Sequence, residues 1–132
     1  MSSLFSIIIP CYNSGKTIRR TLESIVNQNM KDDIEVIIAD DCSDISYINI
    51  IDSYKDRLNI NYIEADHHYG YPGHTREVGV SVASGKYITF IDHDDEFIEN
   101  ILCKIKDIIE KKIPLLYILT LKSIKTVPNI DL

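Results

Sequence analysis

Asp92, His93, Asp94 and Asp95 close the apolar run at residues 87–91, and an acidic cluster of that spacing suits a hard divalent cation. Residues two apart on an extended chain point the same way, so Asp92 and Asp94 are expected to present their carboxylates to one ligand. Mg²⁺ and Mn²⁺ are commonly held by one or two carboxylates together with phosphate oxygens of a substrate. A cation bridging two phosphates neutralises their charge and stabilises a diphosphate as it leaves. Standing alone, the same residues also fit a solvated strand end that caps the next helix.

Two further polar clusters follow apolar runs. PCYNSGK closes residues 5–10, and Asp40-Asp41-Cys42-Ser43-Asp44 closes residues 34–39. Both runs are short and continuously apolar, as in strands buried on both faces of a parallel sheet. Residues 60–64 and 87–91 make a third and a fourth strand. Between them Ile18, Leu22, Ile25 and Val26 recur at helical spacing. The DDCSD cluster is placed to cap a helix over about residues 46–55. A short helix is expected over residues 75–83, after the irregular loop ADHHYGYPGH, and another around Ile98, Ile101, Leu102, Ile105, Ile108 and Ile109, ended by Pro114. Residues 115–121 read as one more strand.

Strands alternating with helices imply right-handed crossovers and a mostly parallel sheet flanked by helices, a Rossmann-like α/β sandwich. Ligands of such sheets bind beyond the carboxyl ends of the strands, where all three polar clusters fall. The 132-residue length fits one domain. A net charge of −6 argues against a protein that wraps nucleic acid, because that needs clustered Lys and Arg. An acidic chain can still take a small phosphorylated ligand when a metal or helix N-termini supply the positive field. Cys11, Cys42 and Cys103 are too few and too scattered for a disulfide framework or a four-ligand zinc site, and read as reduced thiols. The start of the chain lacks a basic leader, and its apolar run is too short for a signal peptide or a membrane span.

With these clusters in order, the chain resembles the family 2 glycosyltransferases of the GT-A fold. The matching text is FSIIIPCYNSGKTIRRTLESIVNQ, then EVIIADDCSD, then the stretch from Arg76 through ASGKYITFIDHDDEF. The resemblance covers about residues 4–112 and implies a nucleotide-sugar-binding GT-A half-domain over residues 1–112, followed by a divergent C-terminal tail at 113–132. It implies that Pro10, Cys11 and Tyr12 line the base, with the Tyr12 ring available for stacking. Asp41, an acceptor-only group, would receive a uracil N3–H, while Asp40 shapes the turn or meets the ribose. Helix capping is the alternative for both. Arg76 matches an arginine placed near the nucleotide, with a solvated helix residue as the alternative. Asp92 would face the ribose or the water shell of the metal, and Asp94 would ligate Mn²⁺ or Mg²⁺ directly, with Asp95 behind them.

Other signals fail. SGKT at residues 14–17 lacks the glycine of a phosphate-binding P-loop, since Pro10 stands five residues before Gly15. No G-x-G-x-x-G follows the first strand. His67, His68, His74 and His93 have no common zinc spacing, and are expected near the sugar or diphosphate, except His93, the variable centre of the acidic motif. Tyr69 and Tyr71 are either sugar-stacking or exposed loop residues. Two positions depart from the family text: Cys42 stands where glycine is common, and Glu77 where asparagine is common.

The expected function is metal-dependent, inverting transfer from a nucleotide-diphosphate sugar, UDP-sugar favoured, to a glycan or lipid acceptor, cut short before its catalytic base. The shortness suggests a truncation, a frameshifted product or a fragment. The alternative is a catalytically silent nucleotide-binding or interaction module of the same fold. A response-regulator-like phosphoacceptor also clusters Asp at strand ends but fits the motifs less well. No nucleic acid and no membrane span are expected. A homodimer through an apolar tail and a cytoplasmic location, with peripheral attachment at the inner face of a membrane as the variant, complete the expectations.

Overall fold

Four strands, β1 (Phe5–Cys11), β2 (Ile34–Asp40), β3 (Asn59–Glu64) and β4 (Tyr87–Phe90), form one sheet in the order β3-β2-β1-β4 with every pairing parallel. The computed structural model describes residues 3–111. Helices α1 (Ile18–Val26), α2 (Ile48–Asp52), α3 (Pro72–Val82) and α4 (Ile101–Glu110) connect or follow the strands. This is the α/β architecture that the sequence implies. The expected stop at Pro114, the strand at 115–121 and self-association through the tail lie outside the described residues.

Alternation along the two central strands decides what lies on each face. Phe5, Ile7, Ile9 and Cys11 of β1 and Ile34, Val36 and Ile38 of β2 share one core with Ile18, Leu22 and Ile25 of α1, Ile51 of α2, and Ile101 and Leu102 of α4. The intervening Ile8, Ile37 and Ala39 are also fully buried, on the opposite face. There α3 lies close enough that a Cβ added to Gly79 would come within 2.5 Å of Ile8 Cγ2 and 3.5 Å of Ala39 Cβ. Gly79 is small because the helix needs that approach.

Several element boundaries differ from expectation, each for a local reason. Helix α3 begins at Pro72, inside the segment read as loop: proline stands in the first turn, where its missing N–H costs nothing. Tyr71 before it is extended, as a residue preceding proline prefers. Helix α2 is shorter than expected and is not capped by the DDCSD cluster, since its N-cap is Tyr47 with no side-chain cap. Helix α4 begins three residues later than the apolar spacing suggested, because Asn100 is left-handed (φ 59°). The buried Gln28 amide ties that start to α1: its Nε2 donates to Ile98 O and its Oε1 accepts from Leu102 N.

No described helix is long and apolar enough to cross a membrane. All three cysteines are free thiols.

Candidate functional site

The carboxyl ends of β1, β2 and β4 open into one cavity of about 430 Å³, in the size range of small-molecule sites. Of the expected site residues, Pro10, Cys11, Tyr12, Asp41, Arg76, Asp92 and Asp94 line it. Asp40 does not. The sheet's alternation sends Asp40 to the α1–α2 face, where it accepts from Ser43 N (2.8 Å), Ser43 Oγ (2.6 Å) and the Tyr47 hydroxyl. Asp40 thus closes the turn after β2.

Asp41 points to the α3 face and is 4% exposed. Its Oδ1 accepts from Tyr69 N at 2.8 Å and its Oδ2 from Gly70 N at 2.9 Å. His68 Nδ1 lies 3.1 Å from the same Oδ2 and 2.9 Å from the Asp41 carbonyl. Gly70 has φ 81°, a conformation that glycine adopts without strain and that aims its N–H at the carboxylate. A carboxylate offers about four acceptor positions, so Asp41 retains capacity for a ligand N–H.

Tyr12 is held by two contacts. Its hydroxyl donates to Asp44 at 2.7 Å, and its ring packs on His68 with centroids 4.6 Å apart. The bond to Asp44 raises the tyrosine's pKa and, with Asn13, lowers that of Asp44. Asn13 joins the loops after β1 and β2: its Oδ1 accepts from Asp44 N and Ile45 N, and its own N–H reaches Ser43 Oγ. Cys11 turns inward, and burial pushes its thiol up to about 12. It meets the cavity as a neutral group.

The acidic cluster is arranged differently from the extended pair expected. Strand β4 ends at Phe90, and Asp95 N donates to Asp92 O at 3.0 Å, closing a turn over residues 92–95. The turn, and not the strand's alternation, brings the carboxylates together. One oxygen each from Asp92, Asp94 and Asp95 lie within 4.8 Å of one another, so Asp95 joins the pair. This is the sole group of His, Cys, Asp and Glu among the described residues with the spacing of a metal site. An all-oxygen carboxylate set is the donor chemistry that Mg²⁺ and Mn²⁺ prefer, and the histidines do not converge with it.

Helix α1 fixes the turn from outside. Thr21 Oγ1 lies 2.8 Å from His93 O and 2.7 Å from Asp95 O, Arg20 donates to Asp94 O at 2.9 Å, and Thr17 Oγ1 is 2.7 Å from His93 Nδ1. From the cavity side, Arg76 reaches Asp92 Oδ1 at 2.7 Å. A guanidinium fixed beside a carboxylate places a permanent positive charge next to the acidic end of the cavity. Glu77 faces away, exposed, and pairs with His74 at 3.1 Å, so its charge does not enter the cavity.

His68, Gly70, Tyr71, Pro72, Thr75 and His93 also line the cavity. The sequence flagged the loop that carries the first four of these, but not Thr75. The available signal was its place four residues before Gly79, which sets Thr75 on the helix face that touches the sheet.

A parallel sheet carrying such a cavity beyond its strand ends, with an acidic turn beside it, defines an α/β protein of the GT-A type. The sequence profile of Glycosyl transferase family 2 matches residues 6–129, and the chain belongs to that family. It is 37% identical over 92 residues to the poly(ribitol-phosphate) beta-N-acetylglucosaminyltransferase TarS of Staphylococcus aureus, covering 69% of this chain and 16% of TarS. It is 44% identical over 92 residues to the poly(ribitol-phosphate) beta-glucosyltransferase of Bacillus spizizenii, covering 68% of this chain and 14% of that protein. The crystal structure of S. aureus TarS 1–349 in complex with UDP-GlcNAc superposes with a TM-score of 0.78 at 33% identity, over 84% of this chain and 32% of that one. The chain therefore spans about a sixth of the length of these curated relatives.

Proposed function

We propose that residues 1–112 form the donor-binding unit of a glycosyltransferase that takes a nucleotide-diphosphate sugar, UDP-sugar by preference, together with Mn²⁺ or Mg²⁺. One observation carries this reading: Asp41 and Asp94, from separate strand ends, line the same cavity. Family membership and the UDP-GlcNAc bound to TarS support it.

Each residue has a definite task in this reading. Tyr12 offers its ring to the base beside Pro10 and the neutral Cys11. Asp41, steadied by the N–H groups of Tyr69 and Gly70, accepts the N3–H of uracil. Asp40 holds the turn that presents Asp41. Asp92, oriented by Arg76, faces the ribose and the metal's surroundings, and Asp94 with Asp92 holds the cation. When bound, the cation supplies Lewis-acid stabilisation of the departing diphosphate. We assign no residue of this cavity as the base that deprotonates the acceptor hydroxyl.

Calorimetric titration with UDP tests the reading. Saturable binding in Mn²⁺ is expected to weaken at least about 100-fold on chelation of the metal and on Asp94→Ala, because either change removes the bridge to the diphosphate. Absence of UDP binding by the wild-type chain in Mn²⁺ defeats the reading and favours a silent module of the same fold.

A further inference from the structure

Only two buried side-chain atoms among the described residues lack a hydrogen-bond partner, Thr75 Oγ1 and Arg76 Nε. They belong to consecutive residues, and both residues line the donor cavity. Thr75 is 1% exposed and lines the cavity, and its hydroxyl has no protein partner. Buried polar groups are paired in the great majority of cases, and an unpaired one lowers stability, so two adjacent exceptions in one cavity wall call for a cause. A ligand that supplies the missing acceptors is such a cause.

Helix geometry says which end of the cavity the hydroxyl serves. Thr75 and Gly79 lie four residues apart on one face of α3, and Gly79 sits against Ile8 of β1 and Ala39 of β2. Because Tyr71, Pro72, Thr75 and Arg76 line the cavity, the N-terminus of α3 points toward it. One turn from Gly79 in that direction brings Thr75 over the next residues of the same sheet face, Pro10 and Asp41. The hydroxyl therefore belongs to the end that holds the base, beside a carboxylate that can only accept. An acceptor and a free donor side by side complement an N–H adjoining a carbonyl, which is the lactam edge of uracil and is missing from cytosine.

We propose that Thr75 is a specificity-determining residue, whose hydroxyl donates to the uracil carbonyl beside the N3–H that Asp41 accepts. This rests on the donor-binding reading above and adds to it the group that recognises the base carbonyl.

The test is calorimetric titration of wild type, Thr75→Val and Thr75→Ser with UDP and with UMP in Mn²⁺, alongside thermal unfolding without nucleotide. Valine keeps the shape and loses the hydroxyl; serine keeps the hydroxyl. Thr75→Val is expected to bind both nucleotides roughly 10-fold more weakly, and Thr75→Ser to stay within about 3-fold of wild type. The nucleotide-free Thr75→Val protein should unfold at the same temperature or higher, since no hydrogen bond is lost. Equal affinity of Thr75→Val and wild type overturns the inference while leaving the donor-binding reading intact. So does a loss seen with UDP and not with UMP, which moves the hydroxyl to the terminal phosphate. A lowered melting temperature overturns it too, by showing that the hydroxyl has a structural partner. If wild type binds neither nucleotide, the inference and the reading on which it rests fail together.

Discussion

The two ends of this sheet treat a carboxylate in opposite ways. At the amino end, Glu35 of β2 is surrounded by donors: Ser6 Oγ, Ser84 N (2.6 Å), Ser84 Oγ (2.9 Å) and Gly85 N (3.0 Å). At the carboxyl end, Asp92, Asp94 and Asp95 bring oxygens within 4.8 Å of one another, and Arg76 reaches Asp92. A carboxylate that has all its donors is finished and serves the fold. Clustered carboxylates repel one another, and a cation between them would relieve that repulsion, as the donor-binding proposal requires. Asp40 and Asp41 accept hydrogen bonds from the protein alike but face opposite ways, because alternation turns the first into the packed turn and the second toward the cavity.

The sharpest way to break this division is at the closed end. A Cβ on Gly85 would stand 2.6 Å from Ser6 N and 2.8 Å from Phe5 C, both backbone atoms that cannot move without disturbing β1. Gly85→Ala is expected to cost about 2–4 kcal/mol of stability, read as a lower urea midpoint, with unchanged UDP affinity for the folded protein. An unchanged midpoint would show that the closed end is loose.

Glu35→Gln comes next. Burial alone would raise the Glu35 pKa, but the hydrogen bonds from Ser6, Ser84 and Gly85 outweigh it and hold the carboxyl below its ordinary value. A group lowered in the folded state stabilises above its unfolded pKa, near 4.5, and loses that contribution as pH falls through the folded value. The substitution should cost about 1 kcal/mol at neutral pH, discounted for partial exposure. Urea midpoints of the two proteins should converge below pH 4.5 and stay apart above it. A gap independent of pH would mean that shape, and not charge, holds the turn.

Residue types and periods made the sheet legible. Continuous apolar runs closed by polar clusters gave strands at the right places, and the spacing of Ile18, Leu22 and Ile25 gave α1. The cavity followed, since parallel strands carry their ligands at one end. What stayed hidden depended on local backbone geometry. Pro72 reads equally as a loop marker and as the first residue of a helix, and nothing nearby decides between them. The carboxylates of residues 92–95 converge through a turn set by Thr21 and Arg20, more than seventy residues earlier in the chain, which no local pattern encodes. Thr75 carries no motif; its unpaired hydroxyl shows only when the whole cavity wall is assembled.

Cys42 gives the finest test of the contrast, because it places strain at the open end without touching a ligand group. Its φ of 58° is left-handed, a conformation that glycine adopts without strain. A residue with a Cβ is disfavoured there by roughly 1–2 kcal/mol, whereas glycine is not, although glycine loses more chain entropy on folding. The sulfur offsets part of the strain through a 3.2 Å contact with the Ala65 carbonyl. Cys42→Gly is therefore expected to raise stability by about 0.5 kcal/mol, seen as a slightly higher melting temperature, with UDP affinity unchanged because Asp41 is held by Tyr69 and Gly70 and not by Cys42. A weakened affinity would show that the strained cysteine, and not the loop before α3, sets the angle at which Asp41 meets the base.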